Sequence, residues 1–386
     1  MGNGVLASLR VRALFAWAVL SLAWLRVLDD YVPKLLAGGE GFQTGDWLIN
    51  YSGGVVRRGL FGTIYLMFFP DGEAGIWVLF VIQVLLYGAV VASLMIWLHG
   101  SKYRWSAIAL VCGPAAIAFV GWSQGSFGRK ESLGLAAIAL FAMAAKPGML
   151  GRVGKRAATV GGLLVFSLAV FSWEGNALLL PAVLALILGT RPGWEVRVFA
   201  GTAAAVAVAG LVTAVLSPGD EASSQAICDS VRAKGLTRPD LCDGAIASLG
   251  SSLSEALAFT RAFFPVYWGY LPLLLLALLP LVASKWVRQQ RLLVAASVVA
   301  IAPLFFVGVD YGRWISMFVI AISICRIALG PRQEDEGEAS LWAPLASSLY
   351  VVLWGIPYAV VPGSAIWPWA GALREVVQLA MWHLPG

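Results

Sequence analysis

Residues 75–98 read Gly-Ile-Trp-Val-Leu-Phe-Val-Ile-Gln-Val-Leu-Leu-Tyr-Gly-Ala-Val-Val-Ala-Ser-Leu-Met-Ile-Trp-Leu, without one Asp, Glu, Lys or Arg. Wound as a helix at about 1.5 Å per residue, such a run exceeds the roughly 30 Å hydrocarbon core of a bilayer. It reads as a membrane helix, and similar apolar runs recur along the chain. Hydrocarbon offers no water to backbone N–H and C=O groups, so each run must bond internally as a helix; the alternation of a transmembrane barrel is absent. Composition agrees: 60% of the 386 residues are hydrophobic, 12% are charged, and mean hydropathy is +0.81. Soluble domains carry about 25% charged residues. The net charge of +6 therefore speaks of loop placement, and nucleic acid is not an expected partner.

Spans are expected near 12–28, 75–98, 105–121, 132–145, 158–172, 177–190, 198–217, 264–283, 292–308, 313–329 and 341–361. The fold class is all-α: one polytopic bundle of about 11 helices over residues 1–386, with extracytoplasmic loops at 29–74, partly helical, and 218–262. Orientation follows from Lys and Arg in short loops. Arg10 and Arg12 precede the first span, and alternate loops then carry Lys102 and Arg104, Lys146 to Arg156, Arg191 and Arg197, Lys285 to Arg291, and Arg326 and Arg332. These place the N-terminus in the cytoplasm. The first span runs into Arg26, Asp29 and Asp30 without a small-residue cleavage pattern, so it reads as a retained helix. The acidic insert Glu334, Asp335, Glu336 and Glu338 reads as a solvated loop. Cys228 and Cys242 lie in the long polar loop and are expected to form a disulfide, which fits an oxidising compartment; free thiols are the alternative.

Ionisable groups near membrane depth are costly and point to a site unless they merely snorkel or form structural pairs at helix ends. Four sets stand out: Asp46 with Arg57 and Arg58; Arg129, Lys130 and Glu131; Glu174; and Asp310 with Arg313. All four fall on the face opposite the basic loops. Five cations around one cavity (Arg57, Arg58, Arg129, Lys130, Arg313) would bind a multiply charged anion such as the pyrophosphate of a lipid. A carboxylate beside such a site acts as a general base on an acceptor hydroxyl while the cations stabilise a leaving phosphate. Asp46 is the first choice and Glu174 the second; Asp310 orients Arg313, and Asp29 and Asp30 compete with Asp46.

The two histidines, His99 and His383, lie away from these sets, which argues against His-dependent acyl transfer, a Ser-His hydrolase or a His-ligated zinc. No cofactor is expected, and so many cations argue against a metal to neutralise phosphate, with a divalent cation on Asp46, Glu174 or Asp310 as the alternative. Trp47, Trp122, Trp173, Trp268, Trp314, Trp367 and Trp369 read mainly as an aromatic interfacial belt, with Trp122, Trp173 and Trp314 set apart by their charged neighbours. Within residues 366–386, an amphipathic pattern over 374–384 suits a surface helix.

Asp46 in a first outer loop, with Arg57, Arg58 and Arg313 in outer turns, resembles the layout of GT-C-class membrane glycosyltransferases and related polysaccharide polymerases. The resemblance covers topology and short motifs. It implies a helical bundle using polyprenyl-linked sugars on the outer face, with Asp46 as catalytic acid residue and the arginines on the lipid phosphate. The large soluble C-terminal domain of some members and the paired acidic motif of several mannosyltransferases are absent from this sequence. The expectation is a bacterial inner-membrane enzyme that passes sugar or glycan from a polyprenyl phosphate or pyrophosphate to an acceptor hydroxyl, among membrane lipids and envelope-assembly proteins. A flippase for lipid-linked oligosaccharide and a non-catalytic envelope scaffold are the alternatives.

Overall fold

The computed structural model describes residues 2–190, 193–263, 270–330, 344–359, 371–374 and 376–377. No strand occurs among them. The chain runs through α1 (Gly2–Leu36), α2 (Gly45–Leu48), α3 (Leu60–Phe68), α4 (Gly72–Gly100), α5 (Trp105–Cys112), α6 (Phe119–Trp122), α7 (Glu131–Ala145) and α8 (Arg152–Ser172). A 3-10 turn, Glu174–Leu179, leads into α9 (Leu180–Leu188) and α10 (Trp194–Leu216). Then come α11 (Glu221–Ala233), α12 (Asp240–Asp243), α13 (Leu253–Ala262), α14 (Tyr270–Ala283) and α15 (Lys285–Gln289). The last are α16 (Arg291–Ile301), α17 (Leu304–Val307), α18 (Tyr311–Leu329) and α19 (Pro344–Val352).

Among the described residues, five helices are long and apolar enough to cross a membrane: Ser8–Leu36 of α1, then α4, α8, α10 and α18. Four shorter apolar segments, Glu131–Ala145, Glu174–Leu188, Tyr270–Ala283 and Arg291–Val307, coincide with four more expected spans. Burial sorts them. The apolar window of α18 is 83% buried, that of α10 only 17%. α18 and the short α7 form the centre, while α1, α4, α8 and α10 turn residues such as Leu14, Leu85, Leu164 and Val215 outward, a surface that suits lipid. A short helix suffices in the centre because its polar ends meet protein rather than hydrocarbon. α7 and α8 approach closely where a Cβ on Gly162 would meet the Phe141 ring at 2.9 Å, the small-residue contact common between membrane helices.

Two expectations about spans change. The run 105–121 is broken: α5 stops at Cys112 before Gly113 and Pro114, and the chain turns into α6 at Phe119. Proline has no N–H for the ladder, and the Tyr87 hydroxyl donates to the Ile117 carbonyl in the broken stretch. The first span does not end near residue 28, because α1 continues to Leu36. Asp29 pairs with Arg26 and Asp30 with Lys34, at i,i+3 and i,i+4 spacing, so the charges support the helix.

Residues 218–262 are a cap rather than an open loop. They form α11, α12, a 3-10 turn Ala247–Gly250 and α13, with Cys228 bridged to Cys242. Asp220 caps α11 through Ser223 N, and Ser252 with Glu255 makes a capping box on α13. The cap sits on residues 37–72: Ala245 N donates to Gly41 O, Asn50 Nδ2 to Ser230 Oγ and Gly72 N to Lys234 O, and Arg57 N donates to Ser217 O just before the cap begins. The acidic insert 334–338, Arg191, Arg332, Trp268, Trp367, Trp369 and, apart from 374, 376 and 377, the 374–384 pattern lie outside the described residues.

Candidate functional site

The turns expected to share one end of the bundle do so. Asp46 stands on α2, a single turn folded back under the cap, where Gly45 lies so close to Leu241 O that a Cβ would reach 2.4 Å. Lys130 Nζ is 3.6 Å from Asp46 Oδ1 and donates to the Arg58 carbonyl at 3.1 Å. Arg58 binds Glu174 through Nε and NH2 at 2.6 to 3.1 Å, and Arg57 NH1 is 3.9 Å from the same carboxylate. Arg313 grips Glu131 at 3.0 and 2.8 Å and also donates to Asp310, whose carboxylate lies 3.6 Å from Arg129 NH2. The consecutive residues Arg129, Lys130 and Glu131 join the two halves.

The network is close to neutral. Five cations (Arg57, Arg58, Arg129, Lys130, Arg313) face four carboxylates (Asp46, Glu131, Glu174, Asp310), leaving a net +1. Glu131 was part of an expected motif but not of the expected site; here it holds Arg313. Asp30 does not join the cluster: it takes Lys34 and the Gly125 N–H at 3.0 Å. Lys130 has no exposed surface, so its charge acts on Asp46 and Arg58 rather than on solvent.

Electrostatics weaken the second candidate base, Glu174. Burial alone would raise the Glu174 carboxyl, but Arg58 and then Arg57 outweigh it and hold it down to about 2. Such a carboxylate is a weak base. Burial pushes the Lys130 ammonium down to about 8, with Asp46 opposing. Asp46 Oδ1 is buried with no hydrogen-bond partner among the described residues, as are Arg57 Nε and Arg129 Nε. Each such atom ordinarily costs about 1–3 kcal/mol, and these three leave polar capacity in reserve beside Asp46.

Local backbone agrees. Arg58 adopts φ +70°, a left-handed conformation that costs a residue bearing a Cβ about 1–3 kcal/mol. Glu174 on its side chain and Lys130 on its carbonyl hold it there. Gly128 takes φ +75° immediately before Arg129, where its carbonyl receives Gln83 Nε2 at 3.1 Å and the Trp47 indole. Gln83 also donates to Gln43 O and accepts from Tyr31, so one buried amide in α4 ties the Asp46 turn to the Arg129 turn. Its signal in the sequence was an amide inside an otherwise apolar run. Asn176 ties Lys130 O to Ala169 O at the end of α8 in the same way.

Trp47, Trp122, Trp173 and Trp314 are buried, so none of these four forms a lipid-facing belt. Trp173 carries the Arg313 guanidinium over its ring at 5.6 Å, and Phe42 carries Arg129 at 5.3 Å. Beside Arg129 and Arg313, a pocket of about 30 Å³ is lined by Gln83, Tyr87, Ser126, Glu131 and Ser316. It has room for water, not for a pyrophosphate. An apolar groove of about 400 Å³ between α1 and α4, lined by Trp17, Trp24, Gly88 and Val91, shares Tyr87 and Val120 with it. Among the described residues, no group of three or more His, Cys, Asp or Glu side chains forms a metal cluster. Comparison with protein-family models, curated proteins and solved structures gives no match.

Proposed function

We propose that this network is the active site of a membrane glycosyltransferase or polysaccharide polymerase, and that it works on a polyprenyl-phosphate or pyrophosphate donor at the extracytoplasmic face. The observation that supports this most is the meeting of four distant turns in one charge network, in which Asp46, paired with Lys130 at 3.6 Å, keeps a buried Oδ1 without a hydrogen bond among the described residues, and Arg57 and Arg129 keep unused Nε donors. Asp46 takes the proton of the acceptor hydroxyl as the acceptor oxygen bonds to the anomeric carbon. The bond from that carbon to the phosphate oxygen breaks, and the leaving phosphate carries the negative charge. Arg57 and Arg129, which keep donors in reserve, receive that charge; Arg58 and Arg313 are fixed by Glu174 and Glu131 and shape the wall. Glu174 has the weaker claim as base because its carboxylate is committed to Arg58.

The groove between α1 and α4 suits a prenyl chain, since it faces lipid and meets the Arg129 pocket at Tyr87 and Val120. With only about 30 Å³ beside Arg129, the phosphate must widen the pocket on entry. Purified full chain in neutral detergent, given a polyprenyl-diphosphate-linked oligosaccharide, is expected to release polyprenyl diphosphate and yield an elongated or transferred glycan. Binding without turnover would favour a flippase instead.

A further inference from the structure

A second charged cavity lies at the other end of the bundle. It measures about 670 Å³ and is lined by Arg152, Lys155, Arg156 and Thr159 of α8, by Thr190, and by Trp194, Glu195 and Phe199 at the start of α10. α8 spans 21 residues from this cavity to the turn that bears Glu174, roughly 31 Å of helix. The two sites are therefore separate.

The cations here are arranged differently from those around Asp46. Arg152, Lys155 and Arg156 fall at i, i+3 and i+4 and share one helix face. Among the described residues of the lining Glu195 is the one carboxylate, 4.0 Å from Arg156, and against Arg152, Lys155 and Arg156 it leaves them at net +2. Arg152 and Lys155 form no ion pair among the described residues. Their position also opposes the helix dipole: the first turn of α8 holds no acidic residue and no side-chain cap, so positive charge stands on the positive end. An anion in the cavity would relieve both the mutual repulsion and the dipole.

The rest of the lining specifies more than a bare anion. Leu150, Ile187, Val196 and Phe199 supply apolar wall, and Trp194, 72% exposed, stands at the rim. The volume lies within the range of small-molecule sites and far exceeds a phosphate ion. We infer that the cavity between the first turns of α8 and α10 binds an anionic phosphate ester, with Arg152, Lys155 and Arg156 on the phosphate and the apolar wall on the attached chain. A membrane phospholipid and a soluble phosphate ester share this chemistry.

The test uses purified full chain in neutral detergent, titrated with dioleoyl phosphatidylglycerol or dioleoyl phosphatidylcholine, with bound lipid counted by native mass spectrometry. The wild type is expected to prefer phosphatidylglycerol by roughly tenfold to thirtyfold, from two unpaired cations. Arg152→Gln/Lys155→Gln/Arg156→Gln should abolish the preference while keeping the elution profile and melting temperature of the wild type. If the triple variant does not fold, Arg152→Gln/Lys155→Gln is measured in its place and should lose most of the preference. Arg288→Gln/Arg291→Gln, a second basic stretch outside the cavity, should keep it. Displacement of the lipid by millimolar glycerol phosphate would identify a soluble ester as ligand, and its failure a lipid; either result supports the phosphate site. No preference in the wild type, or equal loss in both basic variants, would overturn it.

Discussion

At the level of single residues, the charges were legible because ionisable groups are rare in an apolar chain and expensive wherever they occur. What the sequence could not express was how they pair. Arg313 and Arg58 looked like free phosphate ligands, yet Glu131 and Glu174 hold them. Glu174→Gln should therefore cost stability, by about 1–3 kcal/mol for a partly exposed pair left with an uncompensated Arg58, measurable as a lower melting temperature in detergent. The pH dependence has two expected limbs. The Glu174 carboxyl is held down to about 2 from an ordinary 4.5, so its stabilisation is present above about 4.5 and drains away as pH falls toward 2. Lys130 is pushed down from 10.5 to about 8, so between those values the unfolded chain binds more protons and stability rises with pH. In Lys130→Met the rise from pH 8 to 10.5 should vanish; its persistence would assign the rise to another group.

Among the elements, long apolar runs identified α4, α10 and α18 well, since span length is fixed by the bilayer and needs no tertiary knowledge. The run 105–121 was misread as one helix because hydropathy does not register the break that Gly113 and Pro114 make inside a protein-lined centre. The helices of the 218–262 cap were missed because they are short and polar, and their stability comes from packing on residues 37–72 rather than from apolar length. The disulfide pairing, by contrast, followed from the placement of Cys228 and Cys242 together in the long polar loop. Cys228→Ser/Cys242→Ser should lower stability by about 3 kcal/mol on the chain-entropy account of a loop of this size, and should loosen the Asp46 turn, seen as faster amide exchange at residues 41–48. Unchanged exchange there would mean that the cap does not support the site. Gly88 sits in the groove between α1 and α4, where a Cβ meets nothing within 4 Å. Gly88→Trp is accordingly expected to fold normally and to raise the KM for a prenyl-linked donor by about tenfold or more; an unchanged KM would place the lipid chain elsewhere.

Across the whole molecule, the bundle separates two kinds of charge. One end gathers paired, buried and strained groups from turns far apart in sequence; the other carries the basic loops, with Arg326 bound to Ser284 Oγ and stacked on Trp97. That division was readable from alternate loops, because helices crossing a slab must return their connections to alternate faces. The central claim is that the first end performs glycosyl transfer with Asp46 as base. The most direct measurement compares wild-type and Asp46→Asn protein, each purified as the full chain, for both binding and conversion of a polyprenyl-diphosphate-linked oligosaccharide. Asn keeps the shape and lacks the basicity but leaves Lys130 without its counter-charge, so the variant should fold with a lowered melting temperature, still bind the donor, and lose glycan product by at least about 10²-fold. Full product formation by Asp46→Asn would contradict the account.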